Sequence, residues 1–385
     1  MTNQYYLTGA QIVLSNEVVS DASLLIDQGF IQSINSSHVN GAIEIDLSGK
    51  TLLPGMIDLH CDALEKEVEP RPNVHFPLDF AIAQADKRNA AAGVTTIFHA
   101  LSFANEELGV RNNEFAAEIV RSVNQWQRNA LVDNRVHCRY EVTDESGLEQ
   151  LMSLLNDKSM HLLSLMDHTP GQGQFKDLAA YRDYLSRTYK TSDEKLDEIV
   201  DRKQLAASGA MSRVEKLIKC AQKNKISVAS HDDDNQQRVD TMHGLGVTIS
   251  EFPIDLDTAK YAQDKGLKTI VGAPNILRGK SQSGSMRAVD AINAGVADCL
   301  CADYSPAALL AAVFKLPSIT DLSLPDAINL VSLNPANAVG LLDRGEISVG
   351  KRADLVAVAH FGDLAQASHT WSAGKLVYQT SYGNE

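Results

Sequence analysis

TLLPGMIDLHCDALEKEVEPRP, residues 51–72, passes from an apolar run into a charged loop within a few positions. Met56 to Asp62 has the length of a short strand, and on a strand alternate side chains share a face. That alternation sets Asp58, His60 and Asp62 on one side and Cys61 on the other. A His-x-Asp pair at a strand end brings an imidazole nitrogen and a carboxylate oxygen within reach of one small cation. Such donors suit zinc, manganese or iron. One pair of this kind is weak evidence, but three later strands end in the same way.

Working outward, strand-like runs alternate with helical ones: VTTIFHAL (94–101), RVHCRYEV (135–142), LLSLMDH (162–168), ISVASHD (226–232), GVTISEFP (246–253), TIVGAP (269–274) and DCLCAD (298–303). With the first strand this makes eight βα units, and the expected fold is α/β: a (β/α)8 TIM-like barrel with its working face at the C-terminal strand ends. A doubly wound sheet competes, but polar residues recur at the strand ends around the whole set, which favours a closed barrel. Residues 4–50 and the C-terminal stretch instead carry short β runs with turns at Asp27-Gln28-Gly29 and Ala373-Gly374. They are expected to form one small β-sandwich domain built from both termini, 1–54 with 344–385, around a barrel of 55–343. The Lys-, Asp-, Glu- and Tyr-rich segment 175–218 is expected to be a helical insertion over the site.

The strand ends offer His60, Asp62, Glu141, His168, His231 and Asp303. A mononuclear catalytic zinc needs about three protein ligands plus water. Six donors point to one or two divalent ions per chain, zinc first and manganese or iron as alternatives, with Glu141 or hydroxide as a bridge. Asp303 is the expected proton acceptor. His99 is a lesser candidate behind the ligands, and His137 reads as barrel filling. Asp232, Asp233 and Asp234 lack the Gly and closing Glu of a calcium loop, and read as support for the site and as a helix N-cap. Cys299 and Cys301, in an apolar strand, read as packing. Lys66 and Arg71 follow the first strand in a Pro-bracketed loop. Arg278, Ser283 and Gly284 belong to a Gly- and Ser-rich basic loop after the seventh strand, with the makings of a phosphate cradle. The tight turn Asp167–Gly173 could take a sugar or a phosphate.

The chain of 385 residues has a net charge of −14 and a pI near 5.2. An acidic surface argues against nucleic-acid and membrane partners. The N-terminal stretch has no basic region followed by an apolar one, and no run of 18 apolar residues occurs, so neither a signal peptide nor a membrane span is expected. Five cysteines without a framework spacing fit reduced thiols and a cytoplasmic protein.

LLPGMIDLH (52–60), SLNPANAVGL (332–341) and ISVGKRADLVAV (347–358) together resemble the landmarks of the amidohydrolase superfamily. HCDALEK, PRP, SLMDHTPGQGQF, ASHDDD, EFP, GAPNILRG, SGS and ADYSP are similar to its diphosphatase branch. That resemblance implies metal ligation by His60, Asp62, His168, His231 and Asp303. It also implies release of pyrophosphate from α-D-ribose 1-methylphosphonate 5-triphosphate to leave the 5-phosphate, in phosphonate breakdown. Two departures matter. His-x-Asp replaces the usual His-x-His, and no strand-end lysine is available for carboxylation, which shifts the bridging role to Glu141. The expected partner is a small phosphorylated substrate, and the expected assembly a homo-oligomer, a dimer. The rivals are hydrolysis of a cyclic amide or N-acyl substrate with the same metals, and a barrel that has lost its metals and serves as a scaffold.

Overall fold

The computed structural model describes residues 4–105, 112–169, 198, 201, 205–281 and 284–382. Five strands come first: β1 (Tyr5–Val13), β2 (Val18–Asp27), β3 (Phe30–Ile34), β4 (Ile43–Asp46) and β5 (Thr51–Pro54). The period then changes. β6 (Met56–Cys61), β7 (Val94–Phe103), β8 (Asp133–Glu141), β9 (Leu162–Met166), β10 (Ser227–His231), β11 (Ile249–Glu251), β12 (Lys268–Gly272) and β13 (Cys299–Cys301) pair in parallel, each with the next in sequence. Neighbouring parallel strands need a crossover between them. The ends of this eight-stranded sheet meet where Asp62 N–H donates to Asp303 O (2.7 Å) and Asp303 N–H donates to His60 O (2.9 Å). The sheet closes, as the strand-end pattern led one to expect.

Alternation along β8 shows how the sequence builds two cores. Val136, Cys138 and Tyr140 turn outward and pack with Leu151, Leu154 and Leu155 of the helix Gly147–Asn156 and with Leu217 of the helix Ala210–Lys223. The intervening His137, Arg139 and Glu141 therefore face the barrel axis. The floor of the interior is Ile57, Leu59, Phe98, Leu162, Ala229, Ile249, Ile270, Cys299 and Cys301, all buried. Each such aliphatic or aromatic side chain contributes about 1.5–3 kcal/mol by leaving water. The two cysteines are packing groups, with burial pushing both thiols up.

The last strands, β14 (Leu355–Phe361), β15 (Leu364–Ser372) and β16 (Lys375–Gln379), return to the N-terminal ones. They form one mixed sheet of order β16-β15-β14-β5-β1-β2-β3, with β4 on β1. Its core gathers Leu7, Ile12, Leu24, Ile26, Leu355 and Trp371. Arg344 fastens this end of the chain to the barrel, donating to Thr96 Oγ1 (3.0 Å) and Asp133 Oδ2 (2.7 Å). Gly345 sits at φ +93°, where a Cβ would meet Ser332 O at 2.9 Å and the Ala336 methyl at 2.8 Å. The SLNPANA and ISVGKRAD stretches are thus two sides of one close contact. Gly55 answers a similar demand, since a Cβ there would lie 2.3 Å from Thr95 Oγ1.

Two local expectations fail. Strict alternation breaks down in β6, which shifts register against β7 between Met56 and Ile57 and again between Asp58 and Cys61. Asp58 is drawn away from His60's face to accept N–H bonds from His60 (3.1 Å) and Ala302 (3.0 Å). The helix Gln236–Leu245 is capped by Asn235, which accepts from Arg238 N–H (2.8 Å), and not by the acidic run before it. Asp233 is instead buried between the Ser230 (2.5 Å) and Ser250 (2.6 Å) hydroxyls.

Candidate metal centre

Three residues beyond the strand ends take left-handed backbone: Asp232 (φ 55°), Phe252 (φ 54°) and Asp303 (φ 58°). Such a conformation costs a non-glycine residue roughly 1–2 kcal/mol. It is held here because the ladder continues past the strand: Asp232 N–H donates to Glu251 O and Phe252 N–H to Ile270 O, both 2.9 Å, beside the Asp303–His60 bond already described. The strain recurs on the rim that carries the candidate residues, as it does at many functional sites.

Below that rim His60, His231 and Glu251 converge, each offering a ligand atom within 4.8 Å of the others. Glu251 Oε1 is 3.2 Å from His60 Nδ1, and its Oε2 accepts from Ser164 Oγ at 2.6 Å. His137 donates Nδ1–H to Leu59 O (3.0 Å), and its Nε2 lies 3.7 Å from Glu251 Oε2. The His60 ring centroid is 5.1 Å from that of His137 and 5.7 Å from that of His231. Burial, with the charges of Arg139 and His231 added, holds His60 well below the usual imidazole range. A neutral imidazole is the form that ligates. Two such rings and a buried carboxylate, brought together in the barrel, are a donor set that fits a divalent cation.

The other residues expected at the site lie around this cluster in two groups. Glu141 Oε2 is 2.9 Å from His168 Nδ1, and Glu141 Oε1 accepts from Thr143 Oγ1 at 2.7 Å. Asp62 and Asp303 share the barrel seam. Burial, and then the charge of Asp62, pushes Asp303 up to about 6. His231 Nδ1 is 3.1 Å from Asp232 Oδ2. Lys66, Arg71, Arg278 and Gly284 are exposed. Arg278 reaches Tyr304 Oη at 3.4 Å, and Gly284 has φ +82°. Ser283, most of 175–218 and the Pro170–Gly173 part of the tight turn lie outside the described residues. His99 points away from the barrel axis, to Asn134 Oδ1 at 2.8 Å, in a network anchored on Asp86.

Glu251 is the residue that sequence reading passed over. The signal was present: it ends the sixth strand as His231 ends the fifth. EFP enters the sequence reading only as a stretch of family resemblance, with no role given to its glutamate.

Residues 51–377 match the Amidohydrolase family, and the chain belongs to it. At the level of individual proteins it is 34% identical over 377 residues to the α-D-ribose 1-methylphosphonate 5-triphosphate diphosphatase of Escherichia coli (strain K12), covering 97% of this chain and 100% of that one. It is 22% identical to the imidazolonepropionase of Deinococcus deserti, over 93% of this chain and 90% of that one. Among solved structures, N-acetylglucosamine-6-phosphate deacetylase from Pasteurella multocida shares the fold with a TM-score of 0.65 at 14% identity, over 97% and 99% of the two chains. Among the described residues no helix is long and apolar enough to cross a membrane.

Proposed function

We propose that this chain is a metal-dependent diphosphatase that releases pyrophosphate from α-D-ribose 1-methylphosphonate 5-triphosphate and leaves the 5-phosphate. The observation that carries this reading is the 34% identity to the Escherichia coli enzyme of that name, which spans both chains almost end to end. His60, His231 and Glu251 would hold a divalent cation, with Asp62, Glu141, His168 and Asp303 as donors to it or to a second ion. Zinc is the first choice, with manganese or iron as alternatives. A cation bound there supplies a Lewis acid for phosphoryl oxygens and an acidified water.

The chain's own groups do the rest. Asp303, beside the cluster at the barrel seam, accepts the proton of the attacking water. The water oxygen bonds to the α-phosphorus, and the bond from that phosphorus to the bridging oxygen breaks. The electron pair leaves with pyrophosphate. Lys66 on the short helix Ala63–Val68, Arg71 in the loop beyond it and Arg278 at the end of the helix Ala273–Arg278 meet the negative charge of the phosphate chain, with Ser283 and Gly284 offering backbone N–H groups. On this reading the enzyme works in the cytoplasm as a homodimer, and 1–54 with 344–385 form the unit that supports the barrel of 55–343. Phosphorus NMR of the products formed in ¹⁸O water tests the reaction. The label belongs in the ribosyl 5-phosphate, and label in pyrophosphate, or hydrolysis of hydantoins or N-acyl sugars instead, overturns it.

A further inference from the structure

Arg139 lies inside the barrel, 9% exposed, on the same face of β8 as His137 and Glu141. Its positive charge reaches His60, His137, Asp232 and Asp303, which places it among the residues of the cup. Yet its Nε is buried without a hydrogen-bond partner, and among the described residues the guanidinium makes no ion pair. Three carboxylates around it are engaged elsewhere: Glu251 with His60 and Ser164, Glu141 with His168 and Thr143, Asp232 with His231; Asp303 feels the charge of Arg139 but makes no ion pair with it. Ser102, opposite Arg139 in the β7–β8 register, has a hydroxyl that is likewise buried and without a partner. Two neighbouring polar groups therefore face the interior without a hydrogen-bond partner among the described residues.

A guanidinium carries five N–H donors in a planar fork and cannot shed its charge, so it does not stay buried without an acceptor. The acceptor must be small enough to enter the barrel, anionic, and able to offer more than one oxygen to the fork. A neutral amide carbonyl offers one oxygen and no charge. A phosphoryl group offers several oxygens, each charged in part.

We propose that Arg139, with the Ser102 hydroxyl beside it, is the interior oxyanion-binding group of this site and holds a phosphoryl or pyrophosphoryl group beside the His60–His231–Glu251 cluster. The exposed cations Lys66, Arg71 and Arg278 are left to the parts of the phosphate chain nearer solvent. The phosphate identity of the oxyanion rests on the proposed function, whereas the need for an anion rests on the burial of Arg139.

The test is titration of the metal-loaded enzyme with inorganic pyrophosphate by calorimetry, together with thermal melts and metal analysis, for the wild type, Arg139→Met and Arg139→Lys. Wild type is expected to bind pyrophosphate and melt higher in its presence. Arg139→Met should weaken binding at least about tenfold, the scale of losing one charge-assisted contact. It should keep its metal content, and melt no lower than wild type when no anion is present. A merely structural arginine would give the opposite melt. Arg139→Lys keeps the charge without the fork and should bind between the two. If Arg139→Met fails to fold, wild-type affinity in Arg139→Lys overturns the proposal. So does wild-type affinity in a folded Arg139→Met. The two readings separate cleanly. Arg139-dependent pyrophosphate binding without hydrolysis of the ribosyl triphosphate keeps this proposal and sinks the diphosphatase. Hydrolysis with KM and pyrophosphate affinity indifferent to Arg139→Met does the reverse.

Discussion

Glu251 Oε1 lies 3.2 Å from His60 Nδ1, a contact between residues 191 positions apart, on the first and sixth strands of the barrel. Glu251 brings the negative charge among the three groups that would hold the cation. Glu251→Gln keeps the shape and the Ser164 contact while removing the charge. Metal affinity, measured by competition with a chelator, is expected to fall at least about 10-fold, because a neutral amide oxygen replaces a charged donor. An unchanged affinity would take Glu251 out of the centre altogether.

Asp303 stands at the seam where the barrel closes, its backbone tied in both directions to the first strand. Replacing its carboxylate by an amide leaves those backbone bonds alone. Asp303→Asn should therefore fold, keep nearly all its metal, and lose turnover by at least ~100-fold, the scale of a missing general base. Steady-state pyrophosphate release and metal analysis on the same sample decide the matter. Full turnover in that variant would discard the proton-acceptor role.

Gly345 tests the fold and not the chemistry. Gly345→Ala adds a methyl at φ +93°, within 3 Å of both Ser332 O and the Ala336 methyl. Positive-φ strain costs roughly 1–2 kcal/mol, and the backbone oxygen cannot move aside as a flexible side chain would. Urea unfolding is expected to show a loss of about 2 kcal/mol or more, with metal binding in the folded fraction intact. Unaltered stability would mean that the two landmark stretches do not lock together as described.

That contact also shows why the fold was readable and parts of the site were not. Eight βα units, small residues at close approaches and a terminal β texture are local properties, written in the order of the residues. The barrel and the shared terminal sheet follow from them. Cys299 and Cys301 were legible as packing for the same reason, being flanked by apolar neighbours. Side-chain direction is less local. β6 breaks its own alternation to let Asp58 serve two backbone N–H groups, and His99 turns outward because Asn134 waits there. Glu251 sits on a strand of three residues, too short for a period to show, and only the left-handed Phe252 behind it ends the run. Asn235 displaces its acidic neighbours as cap because Asp233 is claimed by two serines from adjacent strands.

Acid sensitivity has a separate source at the entry to the fourth barrel strand. His161 Nδ1 accepts the N–H of Val136 at 3.1 Å, while its own N–H donates to Val136 O at 2.9 Å. Burial, with the charge of Arg135 added, lowers this imidazole from 6.5 to about 4. The folded state thus binds the proton more weakly than the unfolded chain. The stabilisation is whole above pH 6.5 and is lost as pH falls toward 4, because the unfolded chain takes up the proton first. At 1.36 kcal/mol per pH unit the loss approaches about 3 kcal/mol. His161→Asn offers an amide oxygen to the Val136 N–H and has nothing to titrate. Urea unfolding at pH 7 and at pH 5 should show a smaller drop in the variant than in wild type, with other buried histidines contributing equally to both. Equal drops would mean that the Val136 contact survives protonation and that acid attacks the fold elsewhere.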